Sequence, residues 1–130
     1  MYYAGNRSVA QSYGALDATS RVAAATPHEL VAILFEQLLL RIDRAARCVE
    51  RGDIAAMLQS RAKASDILNA LEESLDFDRG GDIAIALAVV YREASDRLND
   101  ATGEEAGPML QAARDIIAEV AEAWTEIGKR

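Results

Sequence analysis

Apolar residues fall along this chain in four long stripes of helical period, each bounded by polar or glycine-containing breaks. Val31, Leu34, Phe35, Leu38, Ile42, Ala45 and Val49 recur at i, i+3, i+4 and i+7, one face of an amphipathic helix. Thr26-Pro27-His28-Glu29 supplies its start, with Thr26 as cap, Pro27 in the first turn and Glu29 completing a capping box. The helix is expected to end near Glu50, before Gly52. Leu30, Ile33 and Leu40 lie off its stripe. A second helix, capped by Asp53, is expected from Ile54 to about Leu75. Its stripe reads Ile54, Met57 or Leu58, Ala62, Ser65, Leu68, Leu71 and Leu75, with Ala64 and Ile67 on another face.

The stretch from Leu75 to Tyr91, LDFDRGGDIAIALAVVY, organises the rest. Gly80-Gly81 permits a tight reversal, and a buried Phe77 ring is expected to pin that turn to the bundle. A third helix is expected from about Gly81-Asp82 to Asp100, with Ile83, Leu87, Val90, Tyr91, Ala94 and Leu98 inward and Ile85 and Val89 on a separate face. No charge occurs from Ile83 to Tyr91, which predicts cover on nearly every side. Gly107-Pro108 opens a fourth helix with the stripe Met109, Ala113, Ile116, Val120, Trp124 and Ile127, flanked by Ile117 and Ala121 and closed by Gly128. Four long helices and short loops predict an all-α, antiparallel four-helix bundle over residues 26–130. Residues 1–25 are expected to be a mobile arm with a short helix near 8–16; the tyrosines Tyr2, Tyr3 and Tyr13 suit a docking segment.

Composition agrees with the helices: the chain is rich in Ala, Leu and Ile and has two prolines. A net charge of −7 argues against nucleic acid and against anionic membrane as partners. No run approaches the roughly 18 apolar residues that span a bilayer, and the start has no apolar secretory core. Single Cys48 has no disulfide partner within the chain, so a reducing, cytoplasmic setting is expected.

Catalytic chemistry finds no constellation. His28, the only histidine, opens a helix and is followed by ELVAILF, without the cation a phosphotransfer histidine needs. Cys48 lies beside Arg47 and Arg51 but has no histidine or second cysteine for a relay. Di-metal bundles require paired Glu-x-x-His motifs, and Ala25 stands three residues before His28. Gly80-Gly81 lacks the Lys-Ser or Lys-Thr of a phosphate loop. A non-enzymatic protein without metal or cofactor is the expectation. What remains is surplus apolar surface at Leu30, Ile33, Ile67, Ile85 and Val89, which calls for a partner, a second copy in a homodimer, or a covering tail, unless these residues simply widen the core.

The landmarks MYYAGN, Tyr13, ATPHELV, Arg51-Gly52-Asp53-Ile54, SLDFDRGGDIA, Leu87, Tyr91 and Trp124-x-x-Ile127 occur in order along the chain. In these the sequence resembles the flagellar export chaperone family, FliS, over nearly its whole length; LDF-x-x-GG-x-IA is the specific part. The resemblance implies a cytoplasmic chaperone that binds the carboxy-terminal segment of flagellin, prevents early polymerisation and hands it to the export apparatus, without ATP or metal. It further implies that Tyr13 and Leu16 belong to an arm lying against the empty groove, and that Phe77, Gly80, Gly81 and Ile83 carry the family motif, mainly for the fold. On that reading Leu30, Ile33, Ile67, Ile85 and Val89 are the expected apolar contacts of the flagellin groove. Ala86 stands where the family commonly has asparagine, and Glu93-Ala94 where it often has Tyr-Met. The competing reading is a helical regulatory adaptor that sequesters another amphipathic segment, such as an anti-sigma factor.

Overall fold

The computed structural model describes residues 20–129. They form α1 (Ser20–Ala24), α2 (Pro27–Glu50), α3 (Ile54–Glu73), α4 (Phe77–Asn99) and α5 (Ala106–Gly128), with a 3-10 turn at Gly103–Glu105 before α5. The helix expected near residues 8–16 lies outside the described residues, whereas α1 falls at the end of the stretch expected to be an arm. All regular structure among the described residues is helical.

Local chemistry fixes the ends. The Thr26 hydroxyl accepts from Glu29 N–H at 3.1 Å and the Glu29 carboxylate accepts from Thr26 N–H at 3.3 Å, completing the capping box. Asp53 accepts from Ala56 N–H at 3.1 Å to open α3, and Gly52 ends the preceding turn at φ +72°. α4 starts earlier than expected. Asp76 accepts from Arg79 N–H at 3.2 Å, so helix geometry begins at Phe77 and is then interrupted by Gly81, with φ +50° and ψ −126°. The glycine pair is thus a kink inside α4, not a free loop. It also changes Phe77: in the first turn of a helix its ring faces outward and is 52% exposed, so it does not pin the turn as a buried side chain.

α2 packs against α3 and α5, and α4 against α5 and α3, leaving α2 and α4 on opposite corners. Cross-links run in opposite directions along neighbouring helices, as antiparallel packing demands. Trp124 bonds to the His28 carbonyl at 3.0 Å and Arg114 pairs with Asp43 at 2.7 Å between α5 and α2. Arg92 pairs with Glu72 at 3.1 Å between α4 and α3. Arg61 donates to the Ala101 carbonyl at 2.8 Å, holding α3 to the turn after α4.

The core contains Leu34, Phe35, Leu38, Ile42, Leu68, Leu71, Leu87, Tyr91, Leu98, Leu110, Ile117 and Trp124, among others. The α2 and α4 stripes match expectation. α3 is rotated: Ala64 and Ile67 are core, while Ile54, Leu58 and Ala62 are exposed. On α5, Leu110 and Ile117 run along the buried centre, and Met109, Ile116 and Val120 are half-buried against the same core.

Gly81 and Gly107 offer a controlled comparison. A Cβ meets no atom within 4 Å at either position, but only Gly81 has positive φ. Gly81→Ala is expected to cost about 1–3 kcal/mol, and Gly107→Ala, inside α5, to gain about 0.4–1 kcal/mol. Urea unfolding of the two variants checks both signs.

Candidate functional site

Two surfaces stand out once the core is assigned. The first is a groove of about 460 Å³ along α2 and α5, closed at one end by α1. Ala32, Ile33, Phe35 and Leu39 of α2 line it with Ala121 and Thr125 of α5 and Ala24 and Ala25 at the α1 end. Four of these side chains are methyl groups, and this shortage of volume is what opens the groove. Glu29 and Glu36 stand on its rim, two helical turns apart. Hydrogen bonding from the Thr26 side chain, and then from its backbone, holds the Glu29 carboxyl below the usual glutamate value.

Below one end of the groove, the His28 ring stacks on Trp124 at 4.3 Å between centroids, with 5° between planes. Its Nε2 is buried without a hydrogen-bond partner. A ring packed flat against an indole, with that nitrogen enclosed, is built into the bundle and is not presented for phosphotransfer. Cys48 is likewise buried and accepts from the Arg51 guanidinium at 3.3 Å. Among the described residues no group of three or more His, Cys, Asp or Glu is arranged to hold a metal ion. No described helix is long and apolar enough to cross a membrane.

The second surface is the outward face of α4. At about 100° per residue, Ile85 and Val89 lie roughly 150° and 170° from the line through Leu87, Tyr91, Ala94 and Leu98. They are accordingly 55% and 62% exposed, so the uncharged run from Ile83 to Tyr91 is open on this side.

These placements divide the residues singled out in the sequence. Leu30 and Ile67 are buried members of the core cluster, so their apolar character is consumed in folding. Ile33 is buried as well, but it forms part of the groove wall. Ile85 and Val89 alone of the five are surplus exposed surface. Gly80 is buried and Gly81 makes the kink. Tyr13 and Leu16 lie outside the described residues. The sequence reading did not find the groove's other walls, because alanines on three separate helices give no periodic signal.

The family profile described as flagellar protein FliS matches residues 9–130. The chain belongs to the FliS family. It is similar to the flagellar secretion chaperone FliS of Salmonella typhimurium, 30% identical over 121 residues that cover 92% of this chain and 90% of that protein. It is 29% identical to the FliS of Vibrio cholerae over 93% of this chain and 89% of the relative. The flagellar secretion chaperone FliSB of Pseudomonas aeruginosa is 29% identical over 90% of this chain and 93% of the relative.

The stacked pair at the closed end of the bundle also makes a specific demand on α5. A Cβ on Gly128 falls 2.5 Å from His28 Nε2 and 2.8 Å from its Cδ2, so alanine there displaces the ring. Gly128→Ala is expected to cost about 1 kcal/mol in the native chain and nothing on a His28→Ala background. A double-mutant cycle by urea unfolding measures that coupling.

Proposed function

We propose that this FliS-family protein is a flagellar secretion chaperone whose cargo is the carboxy-terminal segment of flagellin, held so that it does not polymerise before export. The observation that carries this reading is the groove between α2 and α5. Its walls are four alanines with Ile33, Phe35 and Leu39, and its rim carries Glu29, Glu36 and Thr125, a lining suited to an amphipathic segment. Amphipathic segments bind such channels by laying successive apolar anchors into them. The protein acts by covering surface in the cytoplasm and passing cargo to the export apparatus, without enzymatic turnover.

Membership in the family and the names of its relatives support the chaperone role over a regulatory adaptor for an anti-sigma factor. The choice of flagellin as cargo rests on the resemblance of the motifs and on the shape of the groove. Ile33 and the alanines at 24, 25, 32 and 121 are the contacts assigned to cargo. Leu30 and Ile67 act behind them as packing.

Isothermal titration with the carboxy-terminal segment of flagellin from the same cell tests this, with the amino-terminal segment as control. Saturable one-to-one binding with a negative heat-capacity change is expected for apolar burial in one site. Thr125→Trp, at an exposed groove position, is expected to weaken that binding at least tenfold while leaving the unfolding midpoint near its native value. Undiminished binding by this variant moves the cargo elsewhere, and no binding of the carboxy-terminal segment to the native chain leaves the adaptor reading.

A further inference from the structure

The outward face of α4 differs from the groove in position and in charge. It lies on the corner of the bundle diagonal to α2, so a single helix seated between α2 and α5 does not cover it. Its apolar centre is the pair Ile85 and Val89, one helical turn apart and more than half exposed. Within about 60° of the outward direction of the same helix stand Asp82, Glu93 and Asp96, all exposed, and one cation, Arg92. That cation is already paired with Glu72 of α3 at 3.1 Å. The face is therefore an apolar pair inside an acidic rim, on a chain whose net charge is −7.

Charge decides among the possible occupants. A second copy pairing α4 against α4 around a two-fold axis is the simplest way to cover an apolar helix face. Antiparallel pairing centred between Ile85 and Val89 sets Asp82 of one copy beside Glu93 of the other. Parallel pairing sets the two Asp96 carboxylates, which lie on the outward line, against each other. Both arrangements bring acid to acid as the apolar pair is buried, where repulsion is least screened. An anionic lipid surface is disfavoured for the same reason. A helix with an apolar i, i+4 stripe flanked by lysine or arginine meets every feature of the face.

We propose that the outward face of α4, centred on Ile85 and Val89, is a docking surface for a basic amphipathic helix of a protein other than the cargo. Ile85 and Val89 anchor the apolar stripe, while Asp82, Glu93 and Asp96 fix its register and select cations. The two surfaces operate independently, so the chaperone holds cargo in the groove and this partner on α4 at the same time.

Two synthetic helix-forming peptides of about 20 residues test the assignment on the full chain. Both carry the same leucine stripe at i, i+4 spacing; one has lysine flanks and the other glutamate flanks. Saturable one-to-one binding is expected for the lysine peptide, weakening as salt rises, with at least tenfold weaker binding of the glutamate peptide. The double variant Ile85→Ser/Val89→Ser changes two exposed positions and is expected to keep its unfolding midpoint and lose at least tenfold in affinity for the lysine peptide. The triple variant Asp82→Asn/Glu93→Gln/Asp96→Asn is expected to bind both peptides alike. Equal binding of both peptides by the native chain, or affinity untouched by the serine pair, overturns the proposal. Light scattering that shows a native dimer dissociated by the serine pair assigns the face to a second copy and overturns it too. Saturation of the chaperone with the carboxy-terminal flagellin segment is expected to leave lysine-peptide affinity unchanged. Its loss assigns α4 to the cargo and ends the two-surface reading.

Discussion

Burial of Trp124 is the constraint on which the rest of this bundle depends. Its indole sits flat on His28 and meets Phe35 edge-on at 6.3 Å, and Phe35 in turn lies 6.2 Å from Tyr91. The chain of rings passes from α5 to α2 and across the diagonal to α4, joining three helices distant in sequence. An indole is stable inside only if its N–H finds an acceptor, and the His28 carbonyl provides one at 3.0 Å. That carbonyl is in the right place because the Thr26 and Glu29 capping box fixes the first turn of α2. Helix start, cap, stacked pair and aromatic core are thus a single arrangement. Ring pairs of this kind add about 0.5–1.5 kcal/mol each beyond the area they bury. α3 joins by other means, through the aliphatic seam of Ala64, Ile67, Leu68 and Leu71 and the Arg61 and Arg92 cross-links.

An interior set this way decides where open surface remains among the described residues. Phe35 of α2 and Trp124 of α5 are spent on the ring cluster, and between the same helices the groove is lined by Ile33 and Leu39 with alanine, threonine and glutamate. A channel follows from that division, since small side chains on two helices held apart by a buried indole and phenyl ring do not close the gap. The outward side of α4 has the opposite origin. Its apolar residues Ile85 and Val89 point away from the core by the phase of the helix, and no other described helix covers them. One surface is a deficit of volume and the other a surplus of apolar area.

The features legible in the sequence are those set by a few adjacent residues. Thr26 and Glu29 specify a helix start, Asp53 a cap and Gly52 a left-handed terminator, whatever the tertiary context. α2 and α4 were also legible in phase, because bulky residues at 34, 35, 38 and 42 and at 87, 91 and 98 leave one choice of buried face. α3 was misread by most of a quarter turn. Alanine and serine occupy much of it, so Ala62 and Ser65 match a stripe about as well as Ala64 and Ile67, and packing against α2 settles the matter. Phe77 was misjudged because Asp76 starts α4 before the glycine kink, which turns the ring outward. The groove was illegible for a plainer reason: its walls come from α1, α2 and α5 and consist mostly of missing volume.

Glu29 connects the stability of the bundle to the character of the groove. Its carboxylate is half of the capping box and also part of the groove rim. The Thr26 hydrogen bonds that secure the helix start lower its pKa, so the folded state favours the ionised form more than the unfolded chain does. Its contribution to stability is therefore complete above the ordinary glutamate range and fades as the pH falls through the lowered value. Throughout that upper range the rim stays negative without a separate counter-ion to hold it so. The charge at this end of the groove is fixed, because neutralising Glu29 also weakens the turn that positions the His28 carbonyl under Trp124. The electrostatics of the groove are in this sense set by the same hydrogen bonds that begin α2.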